Sequence, residues 1–195
     1  MPQSPLAGAL RELAKPWAEE NGFRMISPYV LARRRADVDV EEVIEFQWSV
    51  KHPYRTYTVN VGLFYPDYCE QLPAEPKDLS AMHCGRETRL GHLMTRSAWK
   101  RSALWYRYGS PWHFWALIPP YGDFWWRYGR TVEEAIPAVR NTLHHLTAGG
   151  IEWFQSLRQV PTVSQLFDPK TWAWFESPGA WAKRFGPRRS DLLKS

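Results

Sequence analysis

The sequence VDVEEVIEFQWSVKHPYRTYTVNVGLF, residues 38–64, carries the clearest structural signal in the chain, because apolar and polar residues alternate in both of its halves. The apolar sets are Ile44, Phe46, Trp48 and Val50 in the first half and Tyr57, Val59, Val61 and Leu63 in the second. A period of two is typical of strands with one buried face. The stretch therefore predicts an antiparallel hairpin whose connection contains His52 and Pro53.

The predicted register of this hairpin places Trp48 opposite Val59 and Gln47 opposite Asn60. A slip of one residue would bury Glu45 and expose Trp48, so the two faces of the hairpin are strongly specified. We expect helices to cover the apolar face and the polar face to stay open.

The segment Tyr29–Arg35 extends the hairpin into a meander. A turn between this segment and the hairpin would place Arg34 opposite Glu41 and Arg33 opposite Glu42, so cross-strand ion pairs explain the run of arginines better than a phosphate site does. With further strands on either side, the chain is predicted to be α+β: an antiparallel β-meander of four to six strands with helices packed on one face.

Helical spacing of apolar residues occurs near both ends of the chain. Ser4–Glu20 is predicted to be a helix, with a kink or an early end at Pro16. Thr131–Glu134 has the sequence of a capping box and begins the most regular helix. We expect Gly149-Gly150 to stop that helix and Ile151–Arg158 to form a separate one.

Length and composition predict one domain over residues 1–195, with 186–195 a frayed basic tail. Most of the 12 tryptophans must be packed, although a few can mark a binding surface. The net charge of +5 is compatible with an acidic partner, but it is small for a dedicated nucleic-acid protein. Two cysteines, no leader-like segment and no apolar run of membrane-spanning length predict a cytoplasmic protein without disulfides or a membrane partner.

Several short motifs occur in a characteristic order between about Leu6 and Phe167. The first is an amphipathic helix that ends at Gly22-Phe23. It is followed by the motifs Gln47-x-Ser49 and Val59-Asn60-Val61-Gly62, and then by the stretch Cys84–Gly91, which ends in Arg89-Leu90-Gly91. The last is a helix followed by the segment Ile151–Leu166. This order resembles the small bacterial family catalogued as domain of unknown function 4304. The family usually has cysteine before histidine in its fifth strand, whereas here His83 precedes Cys84.

The resemblance implies an α+β fold with no established enzymatic activity. Similar small bacterial domains often lie beside toxins as immunity proteins, which is an analogy between folds.

Common catalytic and metal-binding patterns are missing from the sequence. Cys69, His83, Cys84 and His92 have neither C-x-x-C nor H-x-x-x-H spacing, so no metal and no cofactor is predicted. A cysteine nucleophile has no visible activating neighbour. The chain is therefore more typical of a non-enzymatic protein, with a small hydrolase or transferase using a carboxylate or a cysteine as the alternative.

Two candidate surfaces for a partner follow from the pattern. The first is the polar face of the hairpin, which offers carboxylate and amide groups from Glu45, Gln47 and Asn60 unless it is simply solvated. The second surface combines aromatic residues with arginine, a composition found both in protein hot spots and in surfaces that stack on nucleic-acid bases. Its residues are Tyr106, Arg107, Tyr108, Trp125, Trp126 and Arg127. In the alternative interpretation, Trp125 and Trp126 alternate between core and surface beneath arginine stems.

The sequence thus predicts a protein-binding module, of which an immunity protein that occludes the active surface of a partner toxin is the leading interpretation. The alternatives are the small enzyme and a single-stranded nucleic-acid binder, although nucleic acid is a less favoured partner than a protein with an acidic surface.

Overall fold

The structure of the chain is a computed structural model that describes residues 4–36, 38–49, 55–68, 72–95, 98, 101–102 and 124–158. In these residues an antiparallel sheet packs against helices, which confirms the predicted α+β class. Some predicted features lie outside the described residues: the hairpin connection with His52 and Pro53, Cys69, the candidate site residues Tyr106, Arg107 and Tyr108, and the proposed tail at 186–195.

Within the described residues the sheet has six strands: β1 (Arg24–Ser27), β2 (Val30–Arg34), β3 (Glu41–Trp48), β4 (Thr56–Phe64), β5 (Arg86–Arg89) and β6 (Trp126–Arg127). The strand order is β1-β2-β3-β4-β5, and β6 also pairs with β4. Every pair is antiparallel, so the predicted meander of four to six strands is confirmed.

The register between β2 and β3 is the predicted one. Arg33 lies opposite Glu42 and Arg34 lies opposite Glu41. Arg33 forms the expected ion pair with Glu42, whereas Arg34 pairs with Asp39. Ion pairs therefore explain both arginines, but Arg34 pairs with Asp39 and not with the predicted Glu41.

The register between β3 and β4 differs from the prediction by two residues. Trp48 lies opposite Tyr57, and Asn60 lies opposite Glu45 rather than Gln47. A shift of two residues leaves every side chain on its predicted face, so the alternation of apolar residues cannot distinguish the two registers. The pairing depends instead on the connection between the strands.

The main core lies between the helices and one face of the sheet, where Ile44, Phe46, Val59 and Val61 are buried. The prediction that Trp48 belongs to this buried face is wrong, because its exposed fraction is 49%. Trp48 is the last residue of β3 and therefore lies at the margin of the covered area.

The N-terminal helix consists of α1 (Pro5–Ala9), a π-helical turn (Leu10–Ala14) and α2 (Lys15–Glu20). The predicted helix is thus confirmed, but it does not end early at Pro16. In the π-helical turn the Lys15 amide donates to the Leu10 carbonyl, five residues back. The wider turn accommodates a proline that has no amide hydrogen and crowds the preceding turn.

The second helical stretch consists of α4 (Val132–His145), a π-helical turn (Leu146–Gly150) and α5 (Ile151–Leu157), and it follows the short helix α3 (Leu90–Leu93). The Thr131 capping box is confirmed, but the predicted stop at Gly149-Gly150 is wrong. Among the described glycines only Gly22 has a positive φ, so Gly149 and Gly150 keep a helical backbone. A Cβ atom on Gly149 would lie 3.0 Å from the Leu93 carbonyl oxygen, so glycine permits close contact with α3.

The opposite face of the sheet is partly covered by the segment after β4. Leu79 packs against Val30, Ala32 and Val43 there, next to short 3-10 turns at Pro76–Asp78 and Ala81–His83. The rest of this face carries the polar residues of β3, β4 and β5.

Candidate functional site

β5 and β6 pair with β4 at different positions along the same edge. β5 pairs with residues 60–63 of β4, whereas β6 pairs with Thr56 and Tyr57. Segments from distant parts of the sequence, one ending at Arg89 and one beginning at Trp126, therefore lie along one edge of β4.

A cavity of about 540 Å³ opens on this polar face. We call it the polar cavity, and its lining residues are Glu45, Gln47, Asn60, Met82, Glu87, Thr88, Arg89 and His92. They come from β3, β4, β5, the turn at Ala81–His83 and α3. The three polar-face residues predicted from the hairpin all line it.

A hydrogen-bond network holds these three residues together. The Asn60 side-chain amide donates to Gln47 Oε1 at 3.1 Å and to Glu45 Oε2 at 3.5 Å. The Ala81 backbone amide donates to the same Glu45 oxygen at 3.1 Å. The prediction that Gln47 and Asn60 lie directly opposite each other is wrong, because they lie diagonally in the sheet, where their side chains bond to each other.

Glu87 and Arg89 extend the network with charge. The pKa of Glu87 is raised above its ordinary value, mainly by partial burial and secondly by the nearby Glu45 carboxylate. The charge of Arg89 acts in the opposite direction and lowers this pKa. The Arg89 guanidinium lies 5.7 Å from the centre of the Trp125 ring. The described lining therefore holds two carboxylates, the Arg89 guanidinium and the His92 imidazole, and neither Glu87 nor Arg89 was predicted from the sequence as a site residue.

The aromatic surface predicted from the sequence is divided by the sheet. Trp126 is fully buried in the main core, where its indole N–H donates to Asn141 Oδ1 at 2.9 Å. The assignment of Trp126 to a partner surface is therefore wrong, because β6 alternation directs it inward. Trp125 lies partly buried beside Arg89, and Arg127 is exposed on the polar side. This matches the interpretation in which the two tryptophans alternate.

A second depression of about 260 Å³ adjoins the polar cavity, and both are lined by Glu45 and Gln47. We call it the Trp48 depression, because it also contains Trp48. Met82, in the polar cavity, has an exposed fraction of 74%. Trp48 is thus exposed at the end of β3, on the strand face that carries Phe46, whereas Met82 is exposed within the polar cavity.

The predicted sulfur and imidazole residues do not form a common centre in the described part of the chain. The Cys84 thiol donates to the Ser80 carbonyl oxygen at 3.8 Å, and His83 Nδ1 accepts from the Ser80 amide at 3.1 Å. Among the described residues, no group of three His, Cys, Asp or Glu side chains has an arrangement that could hold a metal ion.

Sequence reasoning missed a buried contact between Ser102 and His145. Ser102 Oγ lies 2.7 Å from His145 Nε2. His145 lines a cavity of about 470 Å³ with Arg101, His144 and Glu152, but Ser102 does not. The hydroxyl is therefore an internal hydrogen-bonding group rather than an accessible nucleophile, and no sequence spacing signals a pair separated by 43 residues.

His145 should make stability depend on pH. The pKa of His145 is lowered to about 4, mainly by burial and to a smaller extent by the charges of His144 and Arg101. Below pH 6.5 the unfolded chain binds a proton that the folded chain does not, so stability decreases as the pH falls toward 4. Between about pH 7 and about pH 4.5 we expect the free energy of unfolding to decrease by roughly 2–3 kcal/mol because of His145. Urea denaturation at the two pH values measures this decrease.

His145→Gln should remove that part of the pH dependence, whereas the exposed neighbour His144 provides a matched control. His144→Gln is expected to keep most of the slope because His145 remains buried. Equal slopes in His145→Gln and the unaltered protein would contradict this account.

Comparisons of the chain with models of protein families, with curated proteins and with solved structures found no match. Within the described residues, no helix has both the length and the apolar character that crossing a membrane requires.

Proposed function

We propose that the protein is a non-enzymatic binding module of the bacterial cytoplasm that neutralises a partner toxin by occluding the toxin's active surface. The resemblance to domain of unknown function 4304 supports this proposal, as does the surface formed by the polar cavity and the Trp48 depression.

The observation that carries the proposal is the exposure of Met82 within the polar cavity, and of Trp48 in the adjoining Trp48 depression, near a polar network that is held by hydrogen bonds. Tryptophan is enriched among residues that dominate protein–protein binding, and methionine is enriched at interfaces. Asn60, Gln47 and Glu45 are fixed by mutual hydrogen bonds, so a partner would not have to order them. Exposed apolar side chains around fixed polar groups are the composition of an interface core.

Charge in the polar cavity changes one expectation about the partner. The net charge of the whole chain predicts an acidic partner, but the cavity contains the carboxylates of Glu45 and Glu87 against the guanidinium of Arg89. We therefore propose that the partner presents basic groups to this part of the surface.

The alternative of a small enzyme is favoured by one observation, since Glu45 and His92 both line the polar cavity. Cys84 does not line it, and its thiol is directed to the Ser80 carbonyl. His92 Nδ1 lies 3.3 Å from the Thr88 hydroxyl. We therefore favour a binding function over a catalytic function for this surface.

The product of the adjacent gene is the natural candidate for the partner. Co-expression followed by size-exclusion chromatography should give a complex, and isothermal titration should give its affinity. Failure of the two proteins to associate at micromolar concentration would overturn the pairing and the proposed function with it.

Trp48→Ala should weaken that complex by about 2 kcal/mol, or roughly 30-fold in Kd, because a large apolar contact is lost from the interface. Leu72→Ala is a matched control, since Leu72 is also an exposed apolar residue but lines neither the polar cavity nor the Trp48 depression. Equal effects of the two substitutions on Kd would exclude the Trp48 depression from the interface.

A further inference from the structure

We propose that Asn21 is a modification site at which the asparagine deamidates, and that a contact with Arg33 restricts the reaction to molecules in which the end of α2 has opened. This inference concerns the N-terminal helix and does not depend on the proposed function.

Asn21 and Gly22 form the only Asn-Gly pair in the sequence. In deamidation the backbone nitrogen of the following residue attacks the side-chain amide carbon of asparagine. A new C–N bond forms, the bond to the side-chain nitrogen breaks, and ammonia leaves. Water then opens the resulting succinimide to aspartate or isoaspartate. Glycine favours the attack, because it has no side chain beside the attacking nitrogen.

The closed end of α2 does not permit this attack. Ring closure requires the Gly22 nitrogen to lie beside the Asn21 Cβ atom, but ψ of Asn21 is 10°, which places that nitrogen beside the backbone nitrogen of Asn21. The Gly22 amide donates to the Glu19 carbonyl oxygen at 3.2 Å, and the Asn21 side-chain amide donates to the Trp17 carbonyl oxygen at 2.8 Å. Hydrogen bonds therefore hold both reacting groups in an unreactive arrangement.

The backbone hydrogen bonds around Gly22 are those of a Schellman motif, which closes many helices. The Phe23 amide donates to the Ala18 carbonyl oxygen at 2.8 Å, in addition to the bond from Gly22 to Glu19. Gly22 has a φ of 74°, a conformation that glycine adopts readily. Deamidation therefore requires this motif to open and Asn21 to rotate about ψ.

Arg33, on β2, holds the motif closed from the neighbouring strand. Its Nη1 atom donates to the Asn21 carbonyl oxygen at 2.5 Å, and its guanidinium lies 4.2 Å from the centre of the Phe23 ring. The buried Glu42 carboxylate fixes the same guanidinium through an ion pair. Asn21 and Gly22 are not themselves buried, so the contact with Arg33 restricts the reaction where burial does not.

Deamidation should loosen the end of α2. An aspartate side chain cannot donate to the Trp17 carbonyl, and its charge lies near the negative end of the helix dipole. In isoaspartate the backbone continues through the former side-chain carbon, which changes the spacing of the Schellman hydrogen bonds. We expect the modified protein to unfold at a lower urea concentration than the unmodified protein.

Incubation of the full chain in mildly alkaline buffer, with and without denaturing guanidinium chloride, tests the site. Peptide mapping by mass spectrometry gives the rate at which Asn21 is converted. Asn60 and Asn141 are internal controls, because the branched residues Val61 and Thr142 follow them and hinder the attack.

We expect preferential conversion of Asn21 in the denaturant and a rate at least about tenfold lower in the folded protein, since only the opened fraction reacts. Absence of preferential conversion in the denaturant would overturn the modification site. Equal rates with and without denaturant would overturn its restriction by the fold.

Arg33→Lys tests the contact itself. The substitution keeps a positive charge beside Glu42 but removes the planar fork that reaches the Asn21 carbonyl, so we expect deamidation of the folded protein to become about fivefold faster. Arg34→Lys is the matched control, since Arg34 is exposed and pairs with Asp39, and it should leave the rate unchanged.

Circular dichroism before incubation establishes that both variants are folded. Equal rates of Asn21 conversion in the two variants would contradict the role of Arg33. The comparison with and without denaturant uses the unaltered protein, so it decides the proposal even if Arg33→Lys does not fold.

Discussion

Glu42→Ala is expected to lower the free energy of unfolding by about 3–5 kcal/mol, because it removes the partner of a buried charge. Glu42 has no exposed surface and pairs with Arg33 at 2.5 Å and with Arg158 at 3.3 Å. The Arg33 guanidinium also lies 4.2 Å from the centre of the Phe23 ring, in a largely buried position. Without the carboxylate, the guanidinium would keep its desolvation cost and lose its main compensation.

Asp39→Ala is the matched control for this prediction, since it removes an ion pair with the next arginine along β2. Both members of the Arg34–Asp39 pair are exposed, at 66% and 74%, so the expected change is below about 0.5 kcal/mol. Urea denaturation at neutral pH measures both variants. If Glu42→Ala costs no more than Asp39→Ala, the buried pair does not stabilise the fold as described.

Phe46→Ala is also expected to cost about 3–5 kcal/mol, because it leaves a cavity in the main core. Phe46 is essentially unexposed, lies opposite Val59, and contacts the Tyr57 ring at a centroid distance of 6.2 Å. Thermal and urea denaturation should both show the loss.

Trp48→Ala tests the same face of the same strand two residues further along. Because about half of the Trp48 surface is already exposed, we expect it to cost less than about 1 kcal/mol. A larger loss of stability for Trp48→Ala than for Phe46→Ala would show that the helices cover a different part of the sheet.

The helices show how local signals are modified by packing. The capping box at Thr131 is a contact within one helical turn, so its sequence was sufficient to predict it. Pro16 and Gly149-Gly150 are also local signals, but each lies in or beside a π-helical turn that keeps the helix continuous. The contact of Gly149 with Leu93 explains why glycine is used there, and that contact exists only in the folded chain.

The polar cavity was predicted only in part. Glu45, Gln47 and Asn60 were found because they occupy the polar positions of one alternating hairpin. Glu87, Arg89 and His92 carry no comparable signal, since they join the cavity through β5 and α3. Trp126 was misassigned because adjacent tryptophans look alike in sequence, whereas a strand directs them to opposite faces.

The sequence by itself determined which residues face the core in β3 and β4, with the exception of Trp48, as well as the register of β2 against β3 and the start of α4. Each depends on spacing within a few residues or across a short turn. The tertiary structure decided the register of β3 against β4, the division of one sheet edge between β5 and β6, and the assembly of the polar cavity. The register of β3 against β4 depends on the connection between the two strands, and the other two features depend on which distant segments pack together. A period of two cannot encode either choice, because it specifies faces and not partners.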